Sequence, residues 1–116
     1  MIVAPDLVFG ASGYIGTNLV EFLLGEGRAV RASSRTIEVL QGRGWDRAEL
    51  CQADALEPAS LDAALSNVDT AYYLVHSMAA GKSFPEIDAE AARNFAAAAE
   101  RQDVRRIVYL GGLTPD

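Results

Sequence analysis

Residues 7 to 24 read Leu7-Val8-Phe9-Gly10-Ala11-Ser12-Gly13-Tyr14-Ile15-Gly16-Thr17-Asn18-Leu19-Val20-Glu21-Phe22-Leu23-Leu24. A short apolar run leads into three glycines at intervals of three, and these open into a stretch with helical periodicity. Strand, glycine turn and helix in that order make a phosphate cradle. A pyrophosphate must approach backbone N–H groups at the open N-terminus of a helix, where a side chain would block it. Gly10 permits the tight turn, Gly13 admits the phosphates, and Gly16 lets the first helix pack close against the sheet. Gly10, Ser12, Gly13, Tyr14, Ile15 and Gly16 are together assigned to the pyrophosphate, Tyr14 and Ile15 supplying backbone N–H donors with their side chains turned elsewhere. A glycine triplet alone is weak evidence; the strand before it, the helix after it and a second strand with a polar end, Ala29 to Arg35, supply the context.

Outward from this turn, apolar runs alternate with helical patterns along the whole chain. Strands are predicted near Asp6 to Phe9, Ala29 to Ser33, Ala48 to Gln52, Thr70 to Val75 and Arg106 to Leu110. The first helix spans about Tyr14 to Gly25, with Ile15, Leu19, Phe22 and Leu23 at helical spacing. A short second helix covers Ile37 to Gln41, ended by Gly42 and Gly44. A third opens at Pro58, a residue tolerated in a first turn because its N–H would be unpaired there anyway. The fourth runs from Pro85 to Gln102, with Ile87, Ala91, Phe95, Ala98 and Ala99 on one stripe. An alanine-rich stripe permits close packing on its own sheet. Alternation of this kind predicts an α/β domain with a parallel sheet.

Composition narrows the partners. A chain of 116 residues, half of them hydrophobic, supports one core, and residues 1 to 116 read as one domain. A net charge of −6 with a single lysine, Lys82, argues against nucleic acid or an anionic membrane surface, both of which attract clustered cations. No apolar run approaches the roughly 20 residues of a membrane span. The start carries no basic leader and is interrupted by Pro5 and Asp6. The lone Cys51 excludes an intramolecular disulfide and fits a structural thiol in a reducing compartment, so a cytoplasmic location is expected. One histidine, with no cluster at ligand spacing, predicts no metal site.

Ser33-Ser34-Arg35 follows the second strand, where an acidic residue would otherwise hold a ribose 2'-hydroxyl. Arg35 suits a 2'-phosphate and Ser34 offers a further hydrogen bond, which favours NADP over NAD. The alternative is a solvated surface arginine. Arg31 is expected to point away from Arg35. His76 ends the fourth strand, on the edge where open α/β sheets bind ligands.

The spacing GxxGxxG with its flanks resembles the short-chain dehydrogenase/reductase superfamily, in particular its extended and atypical branches, which include epimerase/dehydratase-like and NmrA-like proteins. The likeness runs on through Asp54-Ala55, the stretch from Asp69 to Met78 and the stretch from Val104 to Leu110. It implies a three-layer, doubly wound Rossmann-like fold: five parallel strands in the order 3-2-1-4-5, with helices on both faces and an NAD(P) cofactor. By the same likeness, Asp54 and the Ala55 backbone lie beside the adenine, although Asp54 is equally suited to opening a turn. Leu74, Val75 and His76 would run along the ribose and nicotinamide half. The same resemblance, carried by the glycine motif and its flanks, implies a possible homodimer through the helix from Pro85 to Gln102, which is left open.

The resembled enzymes use a Tyr-x-x-x-Lys pair, which this sequence lacks, and a hydroxyl residue where Gly111-Gly112 stands. The resemblance therefore implies the N-terminal part of a longer oxidoreductase or nucleotide-sugar epimerase/dehydratase-like protein acting on an unidentified small molecule. A non-catalytic NAD(P)-sensing protein of NmrA-like type is the alternative.

Overall fold

Every residue of the first strand is buried, from Asp6 to Phe9, as a strand covered on both faces by helices requires. The computed structural model describes residues 3–74, 78, 79, 82, 83 and 85–109. In chain order the elements are β1 (Asp6–Phe9), α1 (Tyr14–Gly25), β2 (Val30–Ser34), α2 (Ile37–Gln41), β3 (Glu49–Gln52), α3 (Pro58–Leu65), β4 (Thr70–Tyr73), β5 (Met78–Ala79), β6 (Lys82–Ser83), α4 (Pro85–Arg101) and β7 (Arg106–Tyr109). Five of the strands form a parallel sheet in the order β3-β2-β1-β4-β7. This is the expected 3-2-1-4-5 arrangement. The remaining two, β5 and β6, pair as a short antiparallel ribbon that the sequence pattern does not announce. The predicted ends of the fourth and fifth strands, Val75 and Leu110, lie outside the described residues.

Each face of the sheet has its own core. On one, Val8, Val30 and Ala32 meet Val20 and Leu23 of α1 and Leu40 of α2. On the other, Leu7, Phe9, Ala71 and Tyr73 meet Leu61, Ala64 and Leu65 of α3 and Ala91, Phe95, Ala98 and Ala99 of α4. Burying a Leu or Phe side chain fully is worth about 1.5–3 kcal/mol. The alanine stripe of α4 is thus spent on the chain's own core; Ile87, at its start, stays 37% exposed.

The inward stripe of α1 differs from expectation. Gly16, Val20 and Leu23 are buried, whereas Ile15 and Phe22 are 59% and 62% exposed. The cause is the helix's own roll, which the contact of Gly16 with the turn sets; residues 16, 20 and 23 then share the inward face, and 15 and 22 turn aside.

Two arginines tie the layers together. Arg28, just before β2, forks onto the buried Asp6 at the start of β1, with Nε on Oδ2 and Nη2 on Oδ1. Arg31, buried within β2, donates through Nη1 to the carbonyls of Ala64 (2.6 Å) and Ser66 (2.8 Å). Its Nε lies 3.1 Å from the Glu49 carboxylate of β3. The last carbonyls of a helix have no intrahelical donor, and a cation there also opposes the negative end of the helix dipole. Arg31 therefore fixes the C-terminus of α3 against the sheet. Cys51 is half-buried, and burial pushes its thiol pKa up, consistent with a structural thiol.

Phe9, Tyr73 and Phe95 pack as an aromatic trio with ring centroids 4.7–5.7 Å apart. Burial first, then the nearby Asp88 and Tyr109, pushes the Tyr73 phenol up to about 12 from its ordinary 10. Because the folded value is the higher one, the stabilisation is whole below pH 10 and is lost as pH rises towards 12. We expect stability measured by urea unfolding to fall by on the order of 2 kcal/mol across that window, and the Tyr73→Phe variant to lose that part of the fall. An unchanged slope in the variant would assign the alkaline loss elsewhere.

Candidate nucleotide-binding site

The turn between β1 and α1 hangs from β2. The N–H groups of Gly10 and Ala11 both donate to the Ser33 carbonyl, at 3.0 and 2.9 Å. Gly10 bends into this arrangement at φ 99°, a backbone region that favours glycine. The Thr17 hydroxyl donates back to the Ala11 carbonyl at 2.9 Å. With its N–H spent on Ser33, Gly10 shapes the turn and leaves phosphate contacts to later residues.

Gly16 and Gly13 are glycine for different reasons. A Cβ on Gly16 would lie 2.2 Å from the Gly10 carbonyl oxygen and 2.8 Å from the Ala11 Cα, so the close approach of helix to turn admits no side chain. At Gly13 the nearest atom would be 3.8 Å away and φ is −77°, which any residue adopts. Nothing within the chain demands glycine there. A Cβ there would meet only the Gly10 carbonyl oxygen, at ordinary contact distance. No side chain caps α1, so the first-turn N–H groups of Tyr14, Ile15 and Gly16 present an anion site. The Tyr14 side chain is exposed, 85% accessible. The residues present therefore fit the pyrophosphate of a dinucleotide.

Beside the turn, the Ser34 hydroxyl donates to the Ser12 hydroxyl at 3.2 Å and accepts from the Thr36 N–H at 3.1 Å. Register places Ser34 opposite Gln52 of β3, and the Gln52 amide donates to the Arg35 carbonyl at 3.0 Å. Arg35 itself is exposed and lines a cleft of about 340 Å³ with Gln52, Ala53, Asp54, Glu57 and Ser60. Glu57 and Ser60 belong to the start of α3, whose other end Arg31 holds. Both arginines thus lie on the α3 side of the sheet, not on opposite sides as expected. Residues an even number apart along a strand return to the same face.

Asp54 lines the cleft and also opens a turn, Oδ1 accepting the Leu56 N–H at 2.9 Å. Ala55 is buried, and its carbonyl accepts from the Asn94 amide of α4 at 2.8 Å. Leu74 continues β4, its N–H on the Phe9 carbonyl at 2.9 Å, which sets it beside the glycine turn. Val75 and His76 lie outside the described residues. The fold therefore gathers Ser12 to Gly16, Ser34, Arg35 and Asp54 along the C-terminal ends of β1, β2 and β3. The strand order reverses at β1, between β2 and β4, and this is the crevice in which open α/β sheets bind nucleotides. Sequence reading alone missed Gln52, Glu57, Ser60 and Asn94. For Gln52, its place at the end of a predicted strand was an available signal; for Asn94 there was none.

A family model described as NAD(P)H-binding matches residues 10–116, and the chain belongs to that family. It is 35% identical over 109 residues to cinnamoyl-CoA reductase 1 of Oryza sativa subsp. japonica, covering 88% of this chain and 32% of that protein. Among solved structures, it superposes on an NADPH-dependent quinone oxidoreductase from Escherichia coli complexed with NADPH, with TM-score 0.76 and 26% identity over 90% of this chain and 35% of that one. The Citrobacter sp. triphenylmethane reductase complexed with NADP(H) gives TM-score 0.80 at 21% identity, covering 92% and 37%. The chain spans about a third of the length of these relatives. It is an NAD(P)-binding domain. Among the described residues no helix is long and apolar enough to cross a membrane.

The two glycines separate by substitution. Gly16→Ala is expected to cost at least about 2 kcal/mol in urea unfolding, because backbone, not a flexible side chain, must move. Gly13→Ser should hold stability or raise it by about a few tenths of a kcal/mol, since serine is a slightly better helix N-cap than glycine. Equal losses at both positions would refute the division of roles.

Proposed function

We propose that this chain is the NADPH-binding part of a reductase of the short-chain dehydrogenase/reductase type, taking the dinucleotide across the C-terminal edge of β1, β2 and β3. The observation that carries the reading is the pairing of an uncapped, unobstructed α1 N-terminus at Gly13 with Arg35 at the end of β2. When bound, the dinucleotide supplies a hydride. This chain's residues bind and orient it. The N–H groups of Tyr14, Ile15 and Gly16 hold the pyrophosphate, with Gly13 leaving room for its approach. Arg35 pairs with the 2'-phosphate, while Ser34 and Ser12 offer hydroxyls beside it. Asp54 accepts from the adenine amino group at the cleft wall, through the carboxylate oxygen that its turn leaves over.

Leu74, beside the glycine turn, serves the nicotinamide half, and the family likeness assigns the same role to Val75 and His76. The 35% identity to a cinnamoyl-CoA reductase favours a reductase over an epimerase for the whole protein. The acid/base pair for hydride chemistry is not among these 116 residues, which contain no Tyr-x-x-x-Lys. A reducing, cytoplasmic setting accords with NADPH chemistry and with the lone thiol.

Calorimetric titration of the chain with NADPH and with NADH tests this. NADPH is expected to bind at least about tenfold more tightly, a difference near 1.4 kcal/mol, and Arg35→Ala to remove that margin while leaving NADH affinity unchanged. Gly13→Ser should weaken both nucleotides together. Equal affinity for the two would sink the 2'-phosphate assignment, and binding of neither by the folded chain would sink the cradle.

A further inference from the structure

Arg35 is the first residue past the end of β2, where the chain leaves the strand, yet the peptides on both sides of it are held. The one before it is fixed through the Ser34 carbonyl, which accepts the Ala53 N–H at 3.1 Å. The one after it is fixed at both ends. Its N–H, that of Thr36, donates to the Ser34 hydroxyl at 3.1 Å, and its carbonyl, that of Arg35, accepts from Nε2 of Gln52 at 3.0 Å. Parallel register sets Ser34 opposite Gln52, the last residue of β3. The Gln52 amide thus adds a side-chain rung just beyond the point where the two strands stop pairing.

Two planar peptides held in place restrict φ and ψ at Arg35, and the direction of its Cβ follows from them. Backbone aim matters here because the guanidinium has little else to steer it. Arg35 is exposed, and the ion pairs among the described residues engage Arg28, Arg31, Arg101 and Arg105. A long side chain aimed in advance loses less freedom when it takes a ligand. Arg35 and Gln52 both line the cleft at the ends of β2 and β3.

We propose that Gln52 is a positioning residue for nucleotide selection, aiming the Arg35 guanidinium by holding the Arg35 carbonyl. This rests on the NADPH reading above. The Gln52 donor is spent on that carbonyl, so Gln52 acts through Arg35 and its effect is confined to the nucleotide that Arg35 recognises.

The test is calorimetric titration of NADPH and NADH into the wild-type chain, Gln52→Met, Arg35→Ala and the double variant. Methionine keeps the side-chain length and removes the donor. Gln52→Met is expected to weaken NADPH about fivefold and NADH less than about twofold, the scale of one hydrogen bond. Its urea midpoint should stay near that of the wild type, since the bond is exposed. In the Arg35→Ala background the same change should alter neither affinity, as expected of two residues that act as one. Equal weakening of both nucleotides by Gln52→Met would overturn the proposal, because Gln52 would then serve the fold or the part common to both. A selective loss that persists without Arg35 would also overturn it, since Gln52 would then meet the phosphate itself. If Arg35→Ala abolishes the preference and Gln52→Met leaves it intact, the NADPH reading stands and only Gln52 falls. A wild-type chain without preference overturns both.

Discussion

The contact on which the rest of this structure depends is the approach of Gly16 to the backbone of Gly10 and Ala11, so close that a Cβ would sit 2.2 Å from a carbonyl oxygen. It places the N-terminus of α1 directly over the end of β1. The Ser33 carbonyl, holding two consecutive N–H groups, secures the same turn to β2. Once these are set, the roll of α1 follows: Val20 and Leu23 face the sheet, and Ile15 and Phe22 do not. The positive end of the helix dipole is then aimed into the crevice where the strand order reverses. Fold and anion site are two consequences of one steric constraint.

A second set of interactions aligns the cleft at the ends of β2 and β3. Arg31 clamps the C-terminus of α3 to β2 and β3, and this brings the other end of α3, with Glu57 and Ser60, against Arg35. Asn94 of α4 holds the Ala55 carbonyl, so the loop carrying Asp54 is supported from the helix layer beneath it. Parallel register brings Ser34 level with Gln52. The cleft is thus a product of helix placement as much as of strand ends, and its polar walls are held by hydrogen bonds between elements far apart in the chain.

Much of this was legible in advance because it is local. The glycine spacing, Pro58 at a first turn and the Ala91, Phe95, Ala98, Ala99 stripe each act within a few residues, so the main elements fell near their predicted places. Periodicity failed at α1. Ile15, Leu19, Phe22 and Leu23 form a plausible apolar stripe by spacing, yet the inward face is chosen by Gly16, which has no side chain to enter a hydrophobic count. The β5–β6 ribbon was silent for a related reason: two-residue strands carry no alternation to read. Arg31 was misplaced by a parity argument, and its capping of α3 depends on a helix that begins 27 residues later.

By itself, the sequence determined that a strand meets a glycine turn and a helix. It also determined that no acid follows the second strand and that strands and helices alternate into a parallel sheet. These are properties of neighbouring residues, decided by backbone sterics and side-chain chemistry at short range. Only the tertiary structure decided which face of α1 is buried, that a Cβ has room at Gly13 and none at Gly16, and that Arg43 reaches Ser12 across 31 residues. Those outcomes arise from packing between elements, where a distance of one or two ångströms separates a clash from an open site, and no pattern along the chain encodes that distance.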